Sequence, residues 1–145
     1  MYQQVRYTGN TKTQTMEKHT VDPWKWGQYT NSVQAVEIKQ PVGTLYCSGQ
    51  VALNAEGQPS TADMRSQLQQ TFQNLEQLIQ TAGYECAGIV RLNVYTTSVA
   101  EFFTTCTDVY QAWITQHGVK QATTLLEVQG LFAGLTVELE ATVVK

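Results

Sequence analysis

Between Ser60 and Gly83 the apolar residues Met64, Leu68, Phe72, Leu75, Ile79 and Ala82 recur three and four positions apart. On an α-helix that spacing places them along one face. Ser60 followed by Asp63 is a start signal close to a capping box, and Gly83 is a C′ stop. Gln67, Gln70, Gln77 and Gln80 are predicted to fall elsewhere on the helix surface. A helix with one apolar face needs a second layer to cover it. The chain makes this demand twice. Ser98 and Glu101 form another capping box ahead of Phe102, Cys106, Val109, Trp113 and Ile114, and this second helix is predicted to end at His117-Gly118.

Strand signals surround both helices. Tyr2 to Tyr7 is an extended candidate, Thr8 to Thr20 a loose polar segment, and Val21 to Tyr29 an aromatic-rich loop broken by Pro23 and Gly27. Val33 to Ile38 alternates as a strand, Pro41-Val42-Gly43 turns, and Thr44 to Leu53 follows, so a hairpin is predicted there. Ile89 to Tyr95, Ala122 to Val128 and Leu135 to Val144 read as the remaining strands. The order β, β-hairpin, α, β, α, β, β predicts an α+β fold of two β-α-β halves in one mixed sheet. Right-handed crossovers put both helices on one face of it. On the last strand Leu135, Val137, Leu139, Ala141 and Val143 point one way, and Thr136, Glu138, Glu140, Thr142 and Val144 the other. The second set is too mixed for a core. It predicts self-association through that face with polar pockets between subunits, or else an ordinary solvated face.

Composition closes several functional classes. A single domain of 145 residues carries 42% apolar and 14% charged residues, with 18 Gln and 20 Thr. The apolar share and low net charge argue against disorder. A net charge of −3 and a pI near 5.3 give no footprint for gripping nucleic-acid phosphates. No apolar run approaches a bilayer span, and Met1 to Thr20 has no signal-peptide core. A cytoplasmic protein without membrane contact is expected. Cys47, Cys86 and Cys106 are widely spaced. They fit neither a disulfide framework nor a zinc site and read as buried, reduced thiols.

Several pieces, in order, resemble the RidA/YjgF family. They are Gly27-Gln28-Tyr29, Gln34-Ala35-Val36, Leu45-Tyr46-Cys47-Ser48-Gly49-Gln50, Gln70-Thr71-Phe72-Gln73-Asn74-Leu75 with Ala82-Gly83, the strand Ile89 to Tyr95, and Val137-Glu138-Leu139-Glu140-Ala141. The resemblance runs from Trp26 to Val144 and leaves Met1 to Lys25 as an N-terminal extension. It implies a chorismate-mutase-like subunit, a homotrimer, and small-molecule sites in the clefts between subunits. It also implies hydrolysis of reactive enamines and imines, such as 2-aminoacrylate and 2-iminopropanoate, without metal or organic cofactor.

That chemistry needs a cation for the substrate carboxylate, best a guanidinium fork, and a positioned proton-transfer group. In the family the guanidinium lies in a pattern reading roughly Ala-Arg-Ser-x-Val-Glu-Val. Here the matching stretch is Ala122-Thr123-Thr124-Leu125-Leu126-Glu127-Val128, with Thr123 in the arginine's place. Thr107 falls where a pocket Asn is frequent, and Leu125 where a pocket Cys is. Tyr29, Ser48 and Glu138 keep their motifs. Glu138 is therefore the candidate catalytic acid/base, with Tyr29, Ser48, Thr107, Thr123 and Leu125 as ligand-binding candidates. A neutral hydroxyl is weaker than a charged partner by about 1–2 kcal/mol per hydrogen bond, so standard 2-imino acid deamination is expected to be weak or absent. Arg6, Arg65 and Arg91 are the chain's arginines. Arg91 reads as a sheet-surface or inter-subunit ion pair and not as a substitute anchor. Trp24 and Trp26 either lid an apolar ligand or cover a subunit edge, while His19 and His117 read as surface residues.

Two functions remain. One is an imine- or enamine-processing enzyme of an arginine-lacking branch, acting by hydrolysis, tautomerisation or cyclisation. The other is a non-catalytic small-molecule binder or partner protein on the same scaffold. A ribonuclease or translation-inhibitor role, attached to some relatives, is disfavoured by the acidic charge.

Overall fold

A computed structural model describes residues 15–145. The extended candidate Tyr2 to Tyr7 lies outside them. The main sheet has four strands in the order β3-β6-β4-β5, where β3 is Thr44–Tyr46, β4 Ile89–Thr96, β5 Leu125–Glu127 and β6 Val137–Val144. β6 runs antiparallel to both β3 and β4, and β5 runs parallel to β4. β3 and β4 are thus parallel to each other, and the chain contains the two β-α-β units that the sequence order predicts.

Three helices cover the inner face, one more than expected. α1 (Met64–Thr81) starts at Asp63, whose Oδ1 accepts from Ser66 N at 2.8 Å, and ends before Gly83 at φ +77°. The second predicted helix is interrupted at Cys106, giving α2 (Val99–Thr105) and α3 (Thr107–Gln116). Ser98 Oγ caps α2 by accepting from Glu101 N at 3.2 Å. The interruption coincides with a local feature and a tertiary one. Thr104, Thr105 and Thr107 each donate a hydroxyl hydrogen bond to a carbonyl four residues back, a habit that bends helices. The Arg65 guanidinium also reaches across from α1, donating to Thr105 O at 2.8 Å and holding both Asp108 carboxylate oxygens at 2.6 and 2.8 Å.

The core lies between α1 and the sheet. Leu68, Phe72, Leu75 and Ile79 meet Ile89, Leu92, Val94, Val137, Leu139, Ala141 and Val143, all buried. Phe72 stacks on Trp113 of α3 at 4.3 Å between ring centroids. Cys47, Cys86 and Cys106 are buried free thiols. One glutamine departs from the expected surface. Gln67 is 3% exposed, and its Oε1 accepts from Thr136 N and Oγ1 at 2.9 and 3.0 Å while its Nε2 donates to Ala62 O. A buried amide is tolerated because both of its ends are bonded.

The predicted hairpin is replaced by a different pairing. β2 (Ala35–Lys39) pairs antiparallel with β1 (Glu17–Val21), drawn from the segment that reads as loose and polar. β3 pairs instead with β6. The intervening turn is occupied by the end of β6: Val42 N and Gly43 N donate to Lys145 O at 2.6 and 2.9 Å, and Lys145 N returns a bond to Gly43 O. A mostly exposed two-stranded ribbon carries little apolar periodicity, so β1 leaves almost no trace in the sequence.

Candidate functional site

The residues that matter divide into two groups, one on each side of the main sheet. On the inner side, beyond the edge strand β5, a cavity of about 580 Å³ opens between the sheet, the α2–α3 junction and the 3-10 turn Lys25–Tyr29. Thr107 comes from the first turn of α3, Thr123 and Leu125 from the chain entering β5, and Tyr29 from the turn, so four of the six candidates line one space. Phe102, Phe103 and Val94 supply apolar wall, and Asn31 and Ser32 polar wall. No Asp, Glu, Lys, Arg or His is among the described residues that line it. Tyr29 is 79% and Phe103 61% exposed, so the mouth is open in a single chain.

Trp24 and Trp26 stack on each other at 5.2 Å, nearly parallel, each 53% exposed. Trp26 lines the cavity. Tyr110 and Gln121 were not among the sequence candidates. Tyr110 also lines the cavity, with its hydroxyl 3.5 Å from Thr123 Oγ1 and accepting from Gln121 Nε2 at 3.2 Å. Burial pushes the Tyr110 phenol above its ordinary value, so it remains an O–H at neutral pH. Helical spacing could have found Tyr110, four residues after Cys106. Gln121 is one of many glutamines, and no sequence signal marks it.

Ser48 and Glu138 lie elsewhere. Glu138 alternates with the buried Val137 and Leu139 on β6 and therefore projects from the outer face, opposite Tyr95 of β4. Ser48 is exposed and falls within a β-bulge. Tyr46 pairs with Thr142, but the next bridge joins Gln50 to Leu139, so four steps on one strand face three on the other. Gly49 in this bulge lies beneath the Glu138 side chain. Partial burial, then the neighbouring Glu140 charge, raises the Glu138 carboxyl above its ordinary value. Glu140 instead accepts from Asn93 Nδ2 and Tyr95 Oη, each at 3.2 Å.

Arg91 is exposed on the outer face and contacts Asn93 Oδ1 at 3.4 Å, with no carboxylate paired to it among the described residues. His117, expected at the surface, is half-buried: it packs on the Trp113 ring at 4.5 Å, with Nε2 3.4 Å from Glu76 Oε2. Among the described residues no group of three or more His, Cys, Asp or Glu side chains is placed to hold a metal ion. No helix among them is long and apolar enough to cross a membrane.

The sequence profile of a family described as Endoribonuclease L-PSP matches residues 23–145. A RutC family protein from Aquifex aeolicus is 30% identical over 112 residues, covering 77% of this chain and 86% of that protein. The 2-iminobutanoate/2-iminopropanoate deaminase of Escherichia coli is 28% identical over 114 residues, covering 78% and 86%. The crystal structure of YyfB from Yersinia pestis, a protein of unknown function of the conserved Rid family, matches with a TM-score of 0.76 at 30% identity, over 88% of this chain and 98% of that one.

Proposed function

Because the chain belongs to the Endoribonuclease L-PSP family, that of the RidA/YjgF proteins, we propose that it takes a small molecule at sites formed where its subunits meet. The ligand is an imine, enamine or related reactive carbonyl compound, processed by hydrolysis, tautomerisation or ring closure. The observation that carries this reading is the neutral cavity. It gathers Tyr29, Thr107, Thr123 and Leu125 and offers a 2-carboxylate no charged partner. The relatives' deaminase name fits the scaffold, while Thr123 argues for a less anionic substrate.

In one subunit the sheet separates that cavity from Glu138 and Ser48. A second copy laid against the outer face would bring its own cavity towards them, which is the physical case for self-association; the family resemblance makes that assembly a homotrimer. Exposed Tyr46 and Leu126 support association, being large apolar surface that a partner would cover. Glu138 then serves as the acid/base. Its raised carboxyl pKa brings it nearer to neutrality, where proton transfer in both directions is more efficient. Ser48, Thr107 and Thr123 hydrogen-bond the ligand, and Tyr29 and Leu125 wall it. The net charge of −3 argues against RNA as substrate despite the family's description.

One observation favours the second reading, a non-catalytic binder: no carboxylate, imidazole, amine or guanidinium is among the described residues that line the cavity of a single chain. The same experiment addresses both. Generate 2-iminopropanoate with an amino-acid oxidase, follow its loss in competition with semicarbazide, and measure the assembly by light scattering in the same preparation. The expected result is an intact trimer that does not accelerate this hydrolysis but turns over a neutral imine, with turnover abolished by Glu138→Ala. Clear acceleration of 2-iminopropanoate would overturn the argument from Thr123. Ligand binding without any turnover would leave the binder.

A further inference from the structure

Two of the hydrogen bonds behind the cavity wall have a fixed direction. Gln121 is fully buried, and its Nε2 donates to Asn31 O at 2.9 Å and to Tyr110 Oη at 3.2 Å. Asn31 O is a backbone carbonyl that can only accept, so the reversed amide would set oxygen against oxygen. Gln121 Oε1 has no hydrogen-bond partner among the described residues, so the two donated bonds are what hold the side chain. Tyr110 Oη therefore accepts from Gln121. The one acceptor placed for its own proton among the described residues is Thr123 Oγ1, at a long 3.5 Å, a contact in which either hydroxyl can be the donor. Once Thr123 accepts from Tyr110, its own hydroxyl hydrogen is left to point into the cavity.

The second cavity threonine has the opposite polarity. Thr107 Oγ1 donates its proton to Phe103 O at 2.9 Å, so only lone pairs remain for a ligand. We propose that Gln121 and Tyr110 are positioning residues that set Thr123 as a donor opposite the acceptor Thr107, so that the cavity selects a neutral, planar ligand carrying both a carbonyl acceptor and an N–H donor. The aromatic and aliphatic walls of Phe102, Phe103 and Leu125 suit the body of such a molecule. This deepens the proposed function and rests on its premise that this cavity is the ligand site. It adds a polarity code and two residues, Tyr110 and Gln121, that were not among the sequence candidates.

Three planar probes of one shape test the code: benzamide, which has both an acceptor and donors, benzoate, which has only acceptors, and benzamidinium, which has only donors. Binding to the full chain is followed by NMR titration. Benzamide is expected to bind at least about tenfold more tightly than either of the others. Tyr110→Phe removes only a hydroxyl. It frees Thr123 to turn and accept, so benzamidinium should come within about threefold of benzamide while benzoate stays weak. Gln121→Met should give the same selective change, and its agreement guards against a packing effect at residue 110. A general weakening without a change in rank order is what a merely structural role would produce, and it overturns the positioning role. Preference for benzoate overturns the polarity code. Failure of all three probes to bind overturns the cavity as the ligand site, and with it the proposed function.

Discussion

Gly49 lies directly against Glu138: a Cβ on residue 49 would stand 2.7 Å from the Glu138 Cδ and overlap its carboxylate. The bulge that places a glycine there is what lets the acidic side chain fold back onto the outer sheet face. Partial burial in that position, followed by the Glu140 charge, holds the carboxyl above its ordinary 4.5. Gly49→Ala is therefore expected to push the carboxylate outward and lower its titration midpoint towards 4.5, as read by carbon-detected NMR. An unchanged midpoint would show that residue 49 does not shape the site.

The raised carboxyl also carries a stability consequence. A folded-state pKa above the unfolded one means that the folded chain binds the proton more tightly. That contribution is complete below the unfolded value and lost as pH rises through the folded one. Glu138→Gln should then raise Tm at neutral pH, with the gain vanishing below about pH 4.

Asp108 behaves in the opposite sense. The hydrogen bonds from Arg65 hold its carboxyl below the ordinary 3.8, at about 2. The stability from this exposed pair is present above the unfolded value and falls away as pH drops from about 4 towards 2. Asp108→Asn should flatten the acid limb of the stability curve. It should leave the limb above pH 5 parallel to that of the wild type, as measured by urea melts at stepped pH.

Gln67 joins α1 to the start of β6 through Thr136. Gln67→Leu keeps the volume but strands the Thr136 N–H, and a loss of about 1–3 kcal/mol is expected in denaturant unfolding. Phe72→Ala should cost more, about 3–5 kcal/mol, because it also empties the space against Trp113.

Thr123→Arg would return a guanidinium to the cavity. If the missing cation is what limits 2-imino acid chemistry, hydrolysis of 2-iminopropanoate by this variant should exceed that of the wild type by at least about tenfold. Equal rates with an intact fold would assign the limitation to another residue.

What the sequence determined by itself is everything written in strong periodicity or local chemistry. Met64 to Ile79 had to form a helix with a buried face, and Asp63, Ser98, Gly83 and Gly118 mark where helices start and stop. The alternation from Leu135 to Val143 fixed which side of β6 is core. These signals are local, set by geometry that repeats every few residues. Tyr29, Thr107, Thr123 and Leu125 were legible as candidates only through the ordered resemblance, since a threonine or a leucine carries no distinctive chemistry of its own.

Only the tertiary structure decided which strands pair. Apart from proline, every residue offers the same backbone donor and acceptor, so nothing in Val33 to Leu53 says that β2 will take the polar segment Glu17–Val21 and leave β3 to β6. The same holds for the break at Cys106, which takes an arginine from a helix 40 residues earlier in the chain. It holds again for Gln67 and Gln121, two of the 18 glutamines, which are buried because distant partners are in place to bond them. Alternation along β6 already turns Glu138 away from the core, but that the cavity lies on the core side, across the sheet from it, depends on how the α2–α3 junction, β5 and the Lys25–Tyr29 turn pack together.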